Sequence, residues 1–386
     1  MRLIKSLRPE KYLNTFDLQD EARSYLPKVI YDYLEGGADD EYCLAENSDA
    51  LRKYKFLPRY LVDASKRDQS VNLFGEVYSS PFGVAPMGAL SIVRKNADIT
   101  LASCASKNGI PFILSGASHA SMESVSASAP GSWIQFYPCK DLDIENDLLA
   151  RAWKCGARNL VVTVDVPLHS KRERSIKSGW VRPYKPNAAI LWDAMKHPVW
   201  SLRYAKNGLP TMENFVPYAK PGSDAREVSN FFGSQIPGKQ GVDLIERIRG
   251  KWKGNLIVKG ILSDVDAAEL VKLGVDGIIV SNHGGRQLDR SISAIDALPA
   301  VVRAVGDRVT VMYDSGLRRG SDIVLALCLG AKFCFAGRPF AYGLAAFGGA
   351  GVQRTIDIFR GEVDLIMAQI GACTIESLNP HLVVSK

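Results

Sequence analysis

The sequence predicts an α/β fold: a (β/α)8 barrel of the TIM type, with a helical segment before it and a long insertion after its fourth strand. Three observations lead there. From residue 81 onward, eight short apolar runs recur. Helical patterns lie between them, at a repeat of about 22–33 residues, the size of one strand-plus-helix unit. Each run also ends in polar or charged residues beside glycine or proline. Near-continuous apolar strands are what a parallel sheet covered on both faces needs, and in such a barrel all strand C-termini open into one mouth.

The elements follow in order. Residues 1–75 read as helical and 76–386 as the barrel. Leu18, Ala22, Tyr25, Leu26, Val29, Ile30, Tyr33 and Leu34 fall near helical spacing, with Asp17 as the expected N-cap. Pro27 is placed to start a second helix and Gly36-Gly37 to end it. The eight runs are PFGVAPM (81–87), IPFILSG (110–116), WIQFYP (133–138), NLVVTVDV (159–166), NLIVKGI (255–261), GIIVSNHG (277–284), TVMYDSG (310–316) and KFCFAGR (332–338). DVDAAELVKLG (264–274) and SDIVLALCLG (321–330) are intervening helices. The gap from Val166 to Asn255 is too long for one helix, so an insertion over about 170–250 should shape or cover the mouth.

Composition narrows the class. With 46% hydrophobic and 23% charged residues, the chain of 386 is an ordinary globular protein rather than a disordered one. The longest uncharged stretches are short and rich in Ser, Pro, Gly and Ala, so no transmembrane helix is expected, and the N-terminus lacks the apolar core of a secretory signal. The net charge of +7 is mild and decides no partner; nucleic acid is not expected. Seven cysteines without a Cys-x-x-Cys read as reduced, cytoplasmic thiols. Five histidines without His-Glu-x-x-His make a metal centre improbable.

The strand ends carry the chemistry. Run three ends in Gln135 and Tyr137; run four in Thr163 and Asp165, with Arg172 beyond; run five in Lys259. Run six gives Ser281, Asn282, His283 and Arg286; run seven Asp314, then Arg318 and Arg319; run eight Gly337-Arg338. Glycine and arginine leading into helices after strands seven and eight form the phosphate site of many barrels, since helix N-terminal amides favour an anion. A P-loop and a Gly-x-Gly-x-x-Gly are both lacking. His283 is the candidate base, because a neutral imidazole suits proton abstraction near neutral pH. Asp165 could hold its tautomer. Arg172 and Arg286 could grip a carboxylate through paired N–H groups. Lys259 at a buried strand end needs a negative partner such as an anionic cofactor ring; a Schiff-base lysine is the competing reading.

SNHGGRQLD (281–289) resembles the signature of the FMN-dependent L-2-hydroxy acid oxidases and dehydrogenases. So do LPKVIYDYLEGGADDE (26–41), VAPMG (84–88), QFY (135–137), TVDV (163–166), LIVKG (256–260), DSGLRRGSD (314–322) and AGRPF (336–340), which together span nearly the whole chain. Within the insertion, KPNAA, HPVWSL and NGLP resemble the membrane-associated (S)-mandelate and L-lactate dehydrogenase branch. The resemblance implies His283 as base, Asp165 as its carboxylate partner and Tyr137 beside the substrate hydroxyl. It implies Tyr33, Arg172 and Arg286 on the substrate carboxylate. FMN contacts are implied for Ala85, Pro86, Met87, Gly88, Ser115, Gln135, Thr163, Lys259 and Ser281. Asp314, Ser315, Gly316, Leu317 and Arg318 are implied for ribityl and phosphate, with Gly337 and Arg338 completing the phosphate site. Lys259 would then face the flavin edge where reduction places negative charge, which argues against the Schiff base. The chain departs from the common pattern at Arg174-Ser175, Ser178-Gly179-Trp180, Met87 and His119.

The expected activity is oxidation of an (S)-2-hydroxy acid, mandelate-like or lactate, to the 2-oxo acid, with electrons passed from FMN to a quinone or other carrier. An oxygen-using oxidase is the alternative, and a phosphate-binding aldolase or isomerase the more distant one. The resemblance places the small residues Gly88 and Ala117 beside the flavin and the substrate side chain, which implies room for an aryl group. A homo-oligomer, a tetramer by resemblance, is expected. Between residues 177 and 210, Lys177, Arg182, Lys185, Lys196, Arg203 and Lys206 face one acid, Asp193, among Trp180, Tyr184, Trp192, Trp200 and Tyr204. That mixture suits an anionic membrane surface, with a short amphipathic helix formed by 188–192, Met195 and Trp200. The expected location is peripheral, on the inner face of the cell membrane.

Overall fold

The computed structural model describes residues 8–180, 187–236 and 238–385. The eight runs form eight strands: β1 (Phe82–Val84), β2 (Ile113–Leu114), β3 (Trp133–Phe136), β4 (Asn159–Thr163), β5 (Asn255–Ile261), β6 (Gly277–Val280), β7 (Thr310–Asp314) and β8 (Phe333–Ala336). All pair in parallel, in the order β1-β8-β7-β6-β5-β4-β3-β2. A parallel bridge from Val84 to Phe112, with Val84 N–H donating to Pro111 O at 2.9 Å, joins the two ends and closes the barrel. The interior is filled by aromatic side chains: Trp133, Phe333 and Phe335 are fully buried, with the Trp133 and Phe335 rings 5.4 Å apart. A two-stranded hairpin, Val71–Leu73 with Glu76–Tyr78, carries Phe74 onto Trp133 at 5.7 Å and plugs the N-terminal end.

Ahead of the barrel lie α1 (Thr15–Tyr25), α2 (Lys28–Glu35) and α3 (Tyr42–Lys53). α2 begins after Pro27 and ends at Gly36 as the sequence predicts. The N-cap of α1 is Asn14 rather than Asp17. The Asn14 side chain accepts from the amides of Phe16 and Asp17, while the Asp17 carboxylate reaches back to the Leu13 amide at 2.8 Å. Two polar residues three apart share the end, and the outer one takes the capping position. Helix also fails to continue to residue 75. Beyond Lys53 the chain is extended, and Tyr54–Phe56 pairs antiparallel with Val383–Ser385.

The helix Val242–Lys251 precedes β5 as an ordinary barrel helix, so the extra chain after β4 ends near residue 241. Within it the expected single amphipathic helix is two, Ala188–Lys196 and Pro198–Asn207, because Pro198 opens a new helix. Trp200 and Tyr204 turn inward: Trp200 Nε1 donates to Ile92 O at 2.9 Å, and the Tyr204 hydroxyl bonds Ser91 O. The outward face is instead Leu191, Trp192, Met195, Val199 and Leu202, with Trp192 61% and Leu202 70% exposed. Arg182, Tyr184 and Lys185 lie outside the described residues. No described helix is long and apolar enough to cross a membrane.

Candidate active site

The strand C-termini surround a cavity of about 410 Å³. Nineteen of the residues singled out from the sequence line it: Tyr33, Ala85 to Gly88, Gln135, Tyr137, Thr163, Arg172, Lys259, His283, Arg286, Asp314 to Arg318, Gly337 and Arg338. Asp165, Ser115 and Ser281 stand one layer behind: Asp165 bonds His283, Ser115 bonds Gln135, and Ser281 bonds both Lys259 and the His283 amide.

His283 Nδ1 lies 2.9 Å from Asp165 Oδ1, with the side chains 20% and 12% exposed. Burial lowers the imidazole pKa below its ordinary value; Asp165 pulls the other way but less strongly. Burial would raise the Asp165 carboxyl, yet the charges of His283 and Lys259 outweigh it and the net shift is downward. The result is a neutral imidazole beside an ionised carboxylate, the state a proton acceptor needs at neutral pH. Asp165 fits here because the backbone bulges after Lys259, where the β5–β6 register shifts at Gly260 (φ +105°). Burial, then the Asp165 charge, push the Tyr137 phenol upward and keep it protonated.

Arg286 donates to Gly36 O at 2.6 Å and Tyr33 O at 2.9 Å, and its guanidinium sits 5.4 Å from the Tyr33 ring. Burial, then the charges of Arg172 and Arg338, hold its pKa well below the ordinary arginine value. The donors of Arg286 go to backbone carbonyls rather than carboxylates, so this corner of the cavity favours an incoming anion. Arg172 donates to Gln287 Oε1 at 3.1 Å and Ser170 Oγ at 3.2 Å, which aims it at the same corner. The Tyr33 hydroxyl donates to Gly88 O at 3.0 Å.

Across the cavity, Lys259 has a partner within the chain: Asp314 Oδ2 at 2.9 Å, with Ser281 Oγ accepting at 2.7 Å. The phosphate end also differs from the sequence expectation. The amides of Arg318 and Arg319 donate to Asp322 Oδ2, and that of Gly320 to Glu362 Oε2, so side chains of this protein already cap the helix Gly320–Cys328. Arg319 pairs with Glu362 at 2.7 Å. The Arg338 guanidinium donates to the carbonyls of Leu34, Glu35, Gly36 and Gly284. What remains for an anion is the glycine loop 316–318 and the start of the helix Arg338–Phe347 at Gly337.

A flavin fits these donors. Gln135 Nε2 and Thr163 Oγ1 are buried on the cavity wall without a hydrogen-bond partner among the described residues. Buried polar atoms are rarely left so. A heteroaromatic ring with nitrogen and oxygen along its edge would satisfy both. Gln135, Thr163 and Lys259 would hold that edge, and the 314–318 loop the polar tail.

The cavity also contains residues the strand-end argument did not reach: His169, Ile176, Trp180, Phe232 and Ile236 from the insertion. Trp180, expected at a lipid boundary, packs against Tyr33 with the ring centroids 4.6 Å apart and the planes tilted by 38°. The short helix Glu173–Lys177 folds the chain back and returns Trp180 to the mouth. The length of the insertion and the departure from the family pattern at Ser178-Gly179-Trp180 were the hints in the sequence.

Residues 22–385 match the protein family described as FMN-dependent dehydrogenase. The (S)-mandelate dehydrogenase of Pseudomonas putida is 38% identical over 371 residues, covering 95% of this chain and 93% of that protein. The L-lactate dehydrogenase of Caulobacter sp. (strain K31) is 39% identical, covering 95% and 97%. A crystal structure of the monotopic membrane protein (S)-mandelate dehydrogenase superposes with a TM-score of 0.94 at 36% identity, covering 97% of this chain and 99% of that one.

Proposed function

The chain belongs to the FMN-dependent dehydrogenase family, and from that premise we propose an (S)-2-hydroxy acid dehydrogenase that accepts an aryl side chain and works at a membrane surface. It is an FMN-dependent enzyme that oxidises a 2-hydroxy acid. FMN, when bound, supplies the acceptor for two electrons.

The observation that carries the reading is the His283–Asp165 pair in the same cavity as Arg172 and Arg286. Arg172 and Arg286 hold the substrate carboxylate and so fix C2, and the Tyr33 hydroxyl joins them by turning its proton from Gly88 O to the carboxylate. His283 takes a proton from C2 or from the hydroxyl, and Asp165 stabilises the imidazolium that results. Tyr137 donates to the substrate oxygen. With FMN bound, the Lys259 ammonium would offset negative charge on the flavin edge. Trp180, Phe232, Ile236, Met87 and the small Ala117 line the same cavity and supply apolar surface for a phenyl group.

The outward residues Leu191, Trp192, Met195, Val199 and Leu202, with Lys196, Arg203 and Lys206 beside them, suit shallow burial in an anionic bilayer. All seven cysteines are free thiols, which suits the cytoplasmic face. A quinone in that bilayer is the acceptor this placement favours. The test is anaerobic mixing of the yellow holoenzyme with (S)-mandelate, L-lactate and glycolate. Flavin absorbance should bleach, fastest with mandelate. Protein that stays oxidised with all three overturns the activity, and slower bleaching with mandelate than with glycolate overturns the aryl preference.

A further inference from the structure

His283 does not sit on its strand. It opens a run of three residues in the left-handed region: His283 at φ +59°, Gly284 at +66° and Gly285 at +73°. A side-chain-bearing residue adopts that conformation at a cost, and it persists only when its surroundings impose it. Here every amide of the turn is held by a side chain. Asn282 N–H donates to Ser315 Oγ at 3.3 Å, His283 N–H to Ser281 Oγ at 3.0 Å, Gly284 N–H to Ser315 Oγ at 3.0 Å, and Gly285 N–H to Asn282 Oδ1 at 3.2 Å. The Asn282 carboxamide therefore closes the turn that aims the imidazole.

What fixes Asn282 comes from outside the barrel. Asn47 Nδ2 donates to Asn282 Oδ1 at 2.9 Å, and Asn282 Nδ2 donates to Asn47 Oδ1 at 2.7 Å. Asn282 Nδ2 also reaches Ile292 O at 3.3 Å. Both asparagines are buried. Asn47 is on α3 and is not part of the cavity wall. The same helix approaches the turn closely: a Cβ at Gly285 would lie 2.6 Å from the Leu44 nitrogen. In a reciprocal carboxamide pair each partner gives one N–H and accepts one, and the Gly285 amide and Ile292 carbonyl on Asn282 then fix which way both amides point.

We propose that Asn47 is a positioning residue for His283: its carboxamide orients Asn282, which closes the left-handed turn holding the imidazole against Asp165. The inference rests on the reading of His283 as the base. An aspartate at 47 would still accept from Asn282 Nδ2. It would also set a carboxylate oxygen against Asn282 Oδ1, which loosens the turn. Arg286 is tied to the carbonyls of Tyr33 and Gly36, and Arg172 to Ser170 and Gln287, independently of this pair. Substrate binding should therefore survive while proton transfer suffers.

The experiment compares Asn47→Asp and Asn47→Ala with the unmutated FMN-loaded enzyme; the near-isosteric aspartate variant guards against a folding failure of the alanine one. The expected results are intact FMN content and a kcat and single-turnover bleaching rate lowered about tenfold or more. KM for mandelate should hold within about twofold. The acid limb of kcat/KM should move to lower pH, because an imidazole drifting from Asp165 loses the charge that raises its pKa. Amide hydrogen exchange in the peptide 281–286 should quicken, with and without FMN. Unchanged rates in both variants overturn the proposal. So does a slowed enzyme whose pH limb and 281–286 exchange stay where they were. If the unmutated holoenzyme bleaches with none of the three acids, the reading of the base itself fails and the positioning role falls with it.

Discussion

A Cβ at Gly260 would stand 2.6 Å from both Cβ and Cγ of Asp165. The bulge in β5 thus creates the space in which the carboxylate lies behind His283. Gly260→Ala should push Asp165 away from the imidazole and strain a backbone at φ +105°. Flavin reduction by substrate should slow about tenfold or more while FMN stays bound. Stopped-flow bleaching checks the rate, and unmutated speed would mean that Asp165 need not sit there.

Loss of the base is a sharper test. His283→Gln should leave FMN bound and slow its reduction about 10⁴-fold or more. The pH dependence follows from the same residue. Its pKa is shifted downward, so the neutral, proton-accepting form persists below the ordinary imidazole value. kcat/KM should therefore hold as pH falls through about 6.5 and decline only below it. A limb centred above that value would contradict the buried, uncharged imidazole.

Arg286→Lys keeps the charge but loses the planar fork that bonds Gly36 O and Tyr33 O. Both a higher KM and a lower kcat are expected, since one ammonium cannot fix C2 in place. Steady-state kinetics equal to the unmutated enzyme would remove the arginine from the carboxylate site.

Ala117→Trp, on the cavity wall next to Gly88, should take up space in the cavity and penalise mandelate more than lactate. The ratio of kcat/KM for the two acids should fall about tenfold or more. An unchanged ratio would place the aryl group elsewhere.

The triple change Leu191→Ser, Trp192→Ser and Met195→Ser removes outward apolar surface and no contact seen at the cavity. It should weaken co-sedimentation with anionic liposomes at low salt while bleaching by substrate stays intact. Changing the inward Trp200 should instead destabilise the fold, since its indole bonds Ile92 O. Equal sedimentation of the triple variant would rule out this face as the docking surface.

The barrel and its mouth were legible because strand burial and strand ends leave a local mark: an apolar run, then a polar residue. All eight runs became strands, and Gln135, Thr163, Lys259, His283 and Asp314 line one cavity. The insertion was not legible in that way. Trp180, Trp200 and Tyr204 have the composition of lipid anchors, and only tertiary packing decides that they turn inward while Trp192 and Leu202 turn out. The partner of Lys259 was equally hidden, because Asp314 comes from a strand two positions along the barrel. Asn47 carries no motif at all; its pairing with Asn282 spans the fold and appears only once α3 is docked.

The pairing of Tyr54–Phe56 with Val383–Ser385 has a consequence for how the chain is made. α3 runs directly into Tyr54, so the helix that supplies Asn47 is tied to a strand far away in sequence, Val383–Ser385. Contacts this distant in sequence form late. Until that strand pairs with Tyr54–Phe56, α3 lacks this tether. A folding chain with the barrel formed and this pair unmade would carry an unlatched N-terminal segment, a surface that invites aggregation or capture by a chaperone.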